Sequence, residues 1–384
     1  MKKKIPAGSL GYTEAHRVTL ADARAPFALL SGETLAPVVV EYEDYGPRDA
    51  DKVILICHAM TGDAHVAGWD KNWKRDGRAW RREKPGWWDN VVGPGKAIDT
   101  DVYRVVCSNV LGSCYGTTGP ADANPATGKP YGLRFPVVTV HGWVKLQKKL
   151  IDHLGIKKLH AVVGGSLGGQ QALEWALAYP DLVNKSIVLA AAARLSAQGL
   201  AFNAVGRYAI TNDPHFNGGD YYDGEPPRAG LAAARMLAHI TYLSEESMHK
   251  KFGRRRQDHW HPGFDVEFQV ESYLDYQGRK FVQRFDANSY MYITRAMDYY
   301  DAAAYWGDGS LVQACARVKS QMMVVSFTSD WLYPPRQCRE LAMAINQNKL
   351  PVTYIEVPSD YGHDAFLIQT EEVSRLLRSF LEAR

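Results

Sequence analysis

The stretch Leu159-His160-Ala161-Val162-Val163-Gly164-Gly165-Ser166-Leu167-Gly168-Gly169 passes directly from apolar, β-branched residues into a knot of glycines around one serine. The apolar run reads as a buried strand. The residues after it, through Gln170, Leu173, Glu174, Leu177 and Ala178, read as a helix that stops at Tyr179-Pro180. Strand, sharp turn with small neighbours, then helix is the arrangement that holds a nucleophilic serine in a strained backbone conformation. The helix also turns its first amides and the positive end of its dipole toward the site. The plain alternative is a glycine-rich turn before a helix. A dinucleotide fingerprint is excluded because the glycines miss the G-x-G-x-x-G spacing. A P-loop is excluded because Gly128-Lys129 lacks both the earlier glycine and a following Ser or Thr.

A serine hydroxyl needs a base to take its proton and a carboxylate to orient that base. Where the serine sits on such an elbow, the order along the chain is Ser, then Asp or Glu, then His. Asp330 follows the apolar run Met322–Phe327, and His363 follows Val352–Val357, so each lies just past the end of an expected strand. Ser166, Asp330 and His363 are therefore the expected triad. Of the competing histidines, His259 and His261 fall in a polar loop and His153 on a helix face. His58 follows a strand but precedes the serine, which suits the loop Cys57–Asp63 and the oxyanion hole. The expected oxyanion donors are the backbone N–H groups of Met60 and Leu167.

Further apolar runs at Pro37–Tyr42, Val53–Cys57, Tyr103–Cys107 and Ser186–Leu189 complete a series of strands, several continuously apolar as parallel strands covered on both faces are. Helical spacing falls between them, over Trp143–Leu154 and again from Glu371 to Leu381. The pattern changes between about 192 and 317, where helices are expected over Gln198–Thr211, Ala229–Leu243, Asp265–Gln277 and Asp286–Asp298. The reading is an α/β-hydrolase fold: a core of residues 1–191 and 318–384 with a mostly parallel central sheet, and an inserted helical lid of residues 192–317.

With 384 residues, 46% hydrophobic and 23% charged, the chain has the composition of a globular protein with a large core. A formal charge of +3 gives no footprint for nucleic acid or a membrane surface. Five cysteines without any C-x-x-C suggest neither a zinc site nor a redox dithiol, and no metal is expected. The basic start lacks a following apolar segment, and no run is long enough to span a bilayer, so a cytoplasmic protein is expected.

Several blocks carry a more specific likeness: His58-Ala59-Met60-Thr61-Gly62-Asp63, Pro85-Gly86-Trp87-Trp88, Gly93-Pro94-Gly95-Lys96, Asn109-Val110-Leu111-Gly112-Ser113-Cys114-Tyr115-Gly116, Phe202-Asn203, His239-Ile240-Thr241-Tyr242-Leu243-Ser244, Ser329-Asp330-Trp331-Leu332-Tyr333-Pro334 and Gly362-His363-Asp364. In this order, over nearly the whole chain, they resemble the α/β-hydrolase-type homoserine O-acyltransferases of methionine biosynthesis. The resemblance implies that Ser166 is acylated by an acyl-CoA and that the acyl group then passes to homoserine. It assigns Arg235 to the amino-acid carboxylate and Asp364 to its ammonium, in keeping with a zwitterion's need for one fixed cation and one fixed anion. The plain alternatives are a lid salt bridge for Arg235 and a helix cap for Asp364. Two residues past the triad aspartate, where arginine in related enzymes favours succinyl donors, stands Leu332. It offers a succinyl carboxylate no cation, so acetyl-CoA is the expected co-substrate.

The resemblance further implies no bound cofactor, small-molecule partners only, and a homodimer through the lid helices. The succinyl-transferring and serine-acylating versions, a carboxylesterase and an inactive binding module are the other readings. Two departures from the family pattern are Leu167, where methionine is commoner, and the long basic segment Trp69–Arg82. That segment reads first as a solvated surface loop, as does Arg254-Arg255-Arg256, and second as a contact for adenine and phosphates.

Overall fold

Eight strands form one sheet: β1 (His16–Ala21), β2 (Val38–Tyr45), β3 (Val53–Cys57), β4 (Arg104–Ser108), β5 (Leu159–Gly165), β6 (Val183–Leu189), β7 (Gln321–Phe327) and β8 (Val352–Val357). The computed structural model describes residues 5–6, 8–258, 261 and 263–383. Across the sheet the order is β1-β2-β4-β3-β5-β6-β7-β8. From β4 to β8 all neighbours are parallel, whereas β2 runs antiparallel to both β4 and β1. The parallel strands are apolar without interruption because both faces are covered: every residue of β3 and β4 is buried.

One face is covered by α1 (Val140–His153) and α2 (Leu167–Ala178). The apolar core there continues without a break into the helical insertion through Ile210, Leu231, Tyr290 and Ile293. The other face packs on Trp88, Val91 and Ile98 and, near the end of the chain, on Val373, Leu377 and Leu381. Between β6 and β7 the described residues form only helices, apart from isolated bridges. They are α3 (Ala197–Thr211), α4 (Arg228–Tyr242), α5 (Glu245–Lys251), α6 (Gln269–Phe281), α7 (Ala287–Tyr299), α8 (Ala302–Trp306) and α9 (Leu311–Cys315). After β7 come α10 (Pro335–Gln347) and α11 (Ala365–Ile368), and α12 (Thr370–Glu382) closes the chain.

The helix expected from Asp265 begins four residues later. The Glu271 carboxylate accepts the Phe268 N–H at 2.8 Å and the Glu267 N–H at 2.9 Å, which closes the helix start at that point. Strand β1 and helix α10 were not expected from the sequence. Among the described residues no helix is long and apolar enough to cross a membrane.

Candidate active site

Ser166 sits between the last residue of β5 and the first of α2, with φ 57° and ψ −125°. Its N–H donates to the Leu189 carbonyl of β6 at 2.9 Å, and its own carbonyl accepts from Gly169 and Gln170, so the strained turn is pinned on both sides. The flanking glycines are required by space. An ideal Cβ on Gly164 would stand 2.1 Å from the Gly168 carbonyl oxygen, and one on Gly168 2.1 Å from that of Cys57.

Asp330 and His363 arrive from the ends of β7 and β8. His363 Nε2 lies 2.8 Å from Ser166 Oγ, and its Nδ1 lies 2.8 Å from Asp330 Oδ2. The other Asp330 oxygen accepts the N–H groups of Leu332 at 3.0 Å and Tyr333 at 2.8 Å, which fixes the carboxylate plane. All three side chains are buried. Burial alone would push the His363 imidazole down, but the Asp330 carboxylate, helped by that of Asp364, outweighs it and holds the group above its ordinary value. The ring is wedged by Tyr333, stacked at 5.3 Å between centroids, and by Phe366 edge-on at 5.9 Å.

Met60 lies on the loop after β3, and Leu167 follows the serine as the first residue of α2. Among the described residues neither backbone N–H is engaged in a hydrogen bond. His58 sets the shape of that loop. Its Nδ1–H donates to the Ala59 carbonyl at 2.8 Å, its Nε2 accepts the Val110 N–H at 3.2 Å, and burial keeps it neutral by lowering its pKa. Gln171, one turn into α2, donates to the His58 carbonyl at 3.2 Å. Arg284, after α6, donates to the Thr61 carbonyl at 3.2 Å. Neither residue is singled out in the sequence; for Gln171 the available signal is one of three polar residues, with Gln170 and Glu174, on an otherwise apolar helix. His261 and His153 are exposed and remote in role, and His259 lies outside the described residues.

Arg235 projects from α4 over the rings of Phe281 at 4.7 Å and Tyr242 at 5.6 Å, and Tyr242 lies 6.0 Å from the His363 ring. It forms no lid salt bridge: among the described residues no carboxylate pairs with it, and its Nη1 is buried without a partner. Asp364 caps no helix with its side chain, although it directly precedes α11. Burial raises its pKa, against the opposing pull of His363 and Arg235. The two residues thus set an uncommitted cation and an uncommitted carboxyl beside the triad. Leu332 packs half-buried against the main core.

The basic segment departs from the solvated loop expected of it. Trp69 and Asp70 pair as a short strand with Tyr12 and Thr13, and Arg78 and Arg81 are buried. Arg78 pairs with Glu41 at 2.7 Å, while Arg81 bridges Asp63 at 2.6 Å and Asp70 at 2.9 Å. These arginines tie the segment to the core, because Glu41 comes from β2 and Asp63 from the loop after β3, while Asp70 belongs to the segment itself. Lys71, Arg75 and the Arg254-Arg255-Arg256 run stay on the surface. Among the described residues no cluster of His, Cys, Asp and Glu could hold a metal.

Residues 52–369 match the family model of the α/β-hydrolase fold. Homoserine O-acetyltransferase of Solidesulfovibrio magneticus is 51% identical over 383 residues, covering 98% of this chain and 94% of that one. The enzyme of the same name from Methanosalsum zhilinae is 51% identical over 378 residues, 97% of this chain and 74% of its relative. The chain belongs to the homoserine O-acetyltransferase family. A solved homoserine O-acetyltransferase from Bacillus anthracis superposes with a TM-score of 0.88 at 28% identity, covering 98% of this chain and 99% of that one. The family frame is also shared by esterase E22, at 31% identity and a TM-score of 0.85 over 96% of this chain and 100% of that one. The scaffold that carries homoserine O-acetyltransferases therefore carries hydrolases too, and what separates them resides in the site.

Proposed function

We propose that this enzyme transfers an acetyl group from acetyl-CoA to the hydroxyl of homoserine through an acetyl-serine intermediate. The observation that carries the reading is the pairing of a hydrogen-bonded Ser166–His363–Asp330 line with the uncommitted Arg235 and Asp364 beside it. His363 takes the Ser166 proton as Oγ attacks the thioester carbon. The resulting oxyanion is held by the Met60 and Leu167 N–H groups. As the C–S bond breaks, His363 returns the proton to the departing thiol. Homoserine then enters with its carboxylate toward Arg235 and its ammonium toward Asp364. His363 removes the hydroxyl proton as that oxygen attacks the acyl carbon, and gives it back to Oγ when the ester bond to Ser166 breaks. No bound cofactor or metal has a step in this cycle.

The apolar Leu332 supports acetyl over succinyl. Exposed Val205 and Tyr208 on α3 support pairing of two copies through the lid, and the biosynthetic role supports a cytoplasmic location. Mass spectrometry after acetyl-CoA alone is expected to find one acetyl group on Ser166, discharged on adding homoserine. An adduct that water discharges as fast without homoserine would favour the second reading, an esterase, which the likeness to esterase E22 keeps in view.

A further inference from the structure

A cavity of about 300 Å³ opens between the oxyanion loop and the lid, walled on one side by Thr61 and Gly62 and on the other by α6. The triad residues do not line it, but Arg235 in its wall lies over the Tyr242 ring, which stands 6.0 Å from the His363 ring, so the cavity adjoins the site on that side. The lining is unusually cationic. Arg81, Lys84, Arg235, Lys280 and Arg284 face it, and the one carboxylate in the lining, Asp63, is already paired with Arg81. Three of the wall residues carry a buried nitrogen with no hydrogen-bond partner among the described residues: His65 Nε2, Arg81 Nε and Arg235 Nη1. A pocket with idle polar atoms and surplus positive charge is incomplete without a ligand.

The outer cations are the informative ones. Arg81 and Arg284 are engaged with Asp63, Asp70, Thr61 and Tyr115, and Arg235 stands at the inner end. Lys84 and Lys280 have no carboxylate partner among the described residues. One comes from the end of the basic loop and the other from the last turn of α6, yet their ammonium groups are brought together. The neighbouring Lys280 holds the Lys84 ammonium below its ordinary range. Two like charges from separate elements repel unless an anion lies between them. Trp80 and Trp87 add flat apolar surface in the same cavity.

We infer that this outer chamber is where the phosphate groups of the acyl donor dock, with Lys84 and Lys280 as the residues that grip them. The inference rests on the proposed use of an acyl-CoA. It places the nucleotide end of the donor at the rim, its thioester at Ser166 and the flexible arm between them. It also gives the basic segment a division of labour, in which buried Arg78 and Arg81 shape the loop and Lys84 binds. Both lysines sit at the rim, so replacing them does not empty a buried ion pair.

The test compares binding of CoA, pantetheine and ADP to the wild-type protein and to a Lys84→Gln/Lys280→Gln double variant by calorimetry. A Lys319→Gln variant, altered at an exposed ion pair with Asp181, serves as control. Wild type should bind CoA at least about tenfold more tightly than pantetheine, as charge-assisted contacts to phosphate allow. The double variant should lose most of that margin, weaken toward ADP as well, and keep its affinity for pantetheine, while the control stays unchanged. With acetyl-CoA the double variant should show a raised KM at near-normal kcat, and with a short acetyl thioester lacking the nucleotide it should match wild type. If the double variant binds CoA as wild type does, the subsite is overturned. If wild type binds CoA with the expected margin yet transfers no acetyl to homoserine, the proposed reaction fails and the subsite stands.

Discussion

Gln171 on α2 donates its side-chain N–H to the backbone carbonyl of His58 at 3.2 Å, joining the helix that starts at Ser166 to the loop that carries Met60, the proposed second oxyanion donor. The amide is wholly buried and held from behind, its Oε1 accepting from Gln147, whose own Oε1 accepts from Trp175. The two halves of the proposed oxyanion hole are therefore spaced by side chains deep in the core. Gln171→Met, close in volume, should keep the fold but free the loop. Steady-state kinetics should show kcat lowered by at least about tenfold with KM for the donor little changed, because an oxyanion contact acts in the transition state. An unchanged kcat would show that the loop holds its place without this bond.

Asp364 is expected to act on the base as well as on the acceptor. Its carboxylate is among the groups that lift His363 above its ordinary value, after Asp330. The imidazole works only when neutral, so acylation should fall off as the pH drops through a value higher than that of an ordinary imidazole. Asp364→Asn removes one upward influence and should move that acid limb to lower pH. The measurement is the rate of serine acylation by acetyl-CoA alone, which homoserine binding does not enter. The same variant should need much more homoserine for half-maximal rate. An unmoved limb would separate Asp364 from the base.

Arg81 stands between Asp63 and Asp70, all three largely buried. Arg81→Met should leave two carboxylates without their cation and destabilise the fold by about 3–5 kcal/mol in urea unfolding. Burial acts to raise the Asp63 pKa, but Arg81 and His65 overcome it and hold it down to about 2. A folded-state value below the unfolded one contributes stability above the ordinary carboxylate range, and that stability is lost as the pH falls toward 2. The variant should therefore unfold at a higher pH on acidification than wild type.

The elbow tolerates no added carbon at its base. Gly168→Ala places a methyl 2.1 Å from the Cys57 carbonyl, a contact that only a shift of β3 or α2 could relieve. Either shift moves Ser166 away from His363. The expected outcome is a poorly folded or inactive protein by circular dichroism and acyl transfer, and a variant with normal kcat would overturn the steric account.

The parts of this molecule that were readable in sequence are those written in local pattern. The elbow announces itself because the glycines on both sides of Ser166 are steric necessities. Asp330 and His363 were found because chain order and the ends of apolar runs located them. Strand β1 stayed hidden because it lies at the sheet edge, where Val18 and Leu20 alternate with exposed Arg17 and Thr19 and give only a short signal. Helix α10 carries Arg336, Arg339 and Glu340 on its exposed face, and no element is assigned from the sequence to the stretch between the triad aspartate and β8. The basic segment differs from its expected solvated loop for another reason. Whether an arginine is solvated or buried depends on what waits for it, and the partner of Arg78 is Glu41, 37 residues earlier on a strand. Nothing in the spacing of Trp69–Arg82 reveals that.

Gly362 has φ 71°, and a Cβ there would stand 2.6 Å from the Ser244 nitrogen and 2.7 Å from the Tyr242 carbonyl oxygen. The residue before the catalytic histidine is thus pressed against the chain just where α4 ends, and Ser244 Oγ hydrogen-bonds the Asp360 carbonyl beside it. The cap is in this respect no detachable module. Recombination that imports residues 192–317 from a relative would also have to import the turn 359–364, or the histidine would be misaligned by its new neighbour. Exchanges of acceptor specificity between such enzymes, by evolution or by hand, should therefore travel as a matched pair of segments that are distant in sequence and adjoining in space.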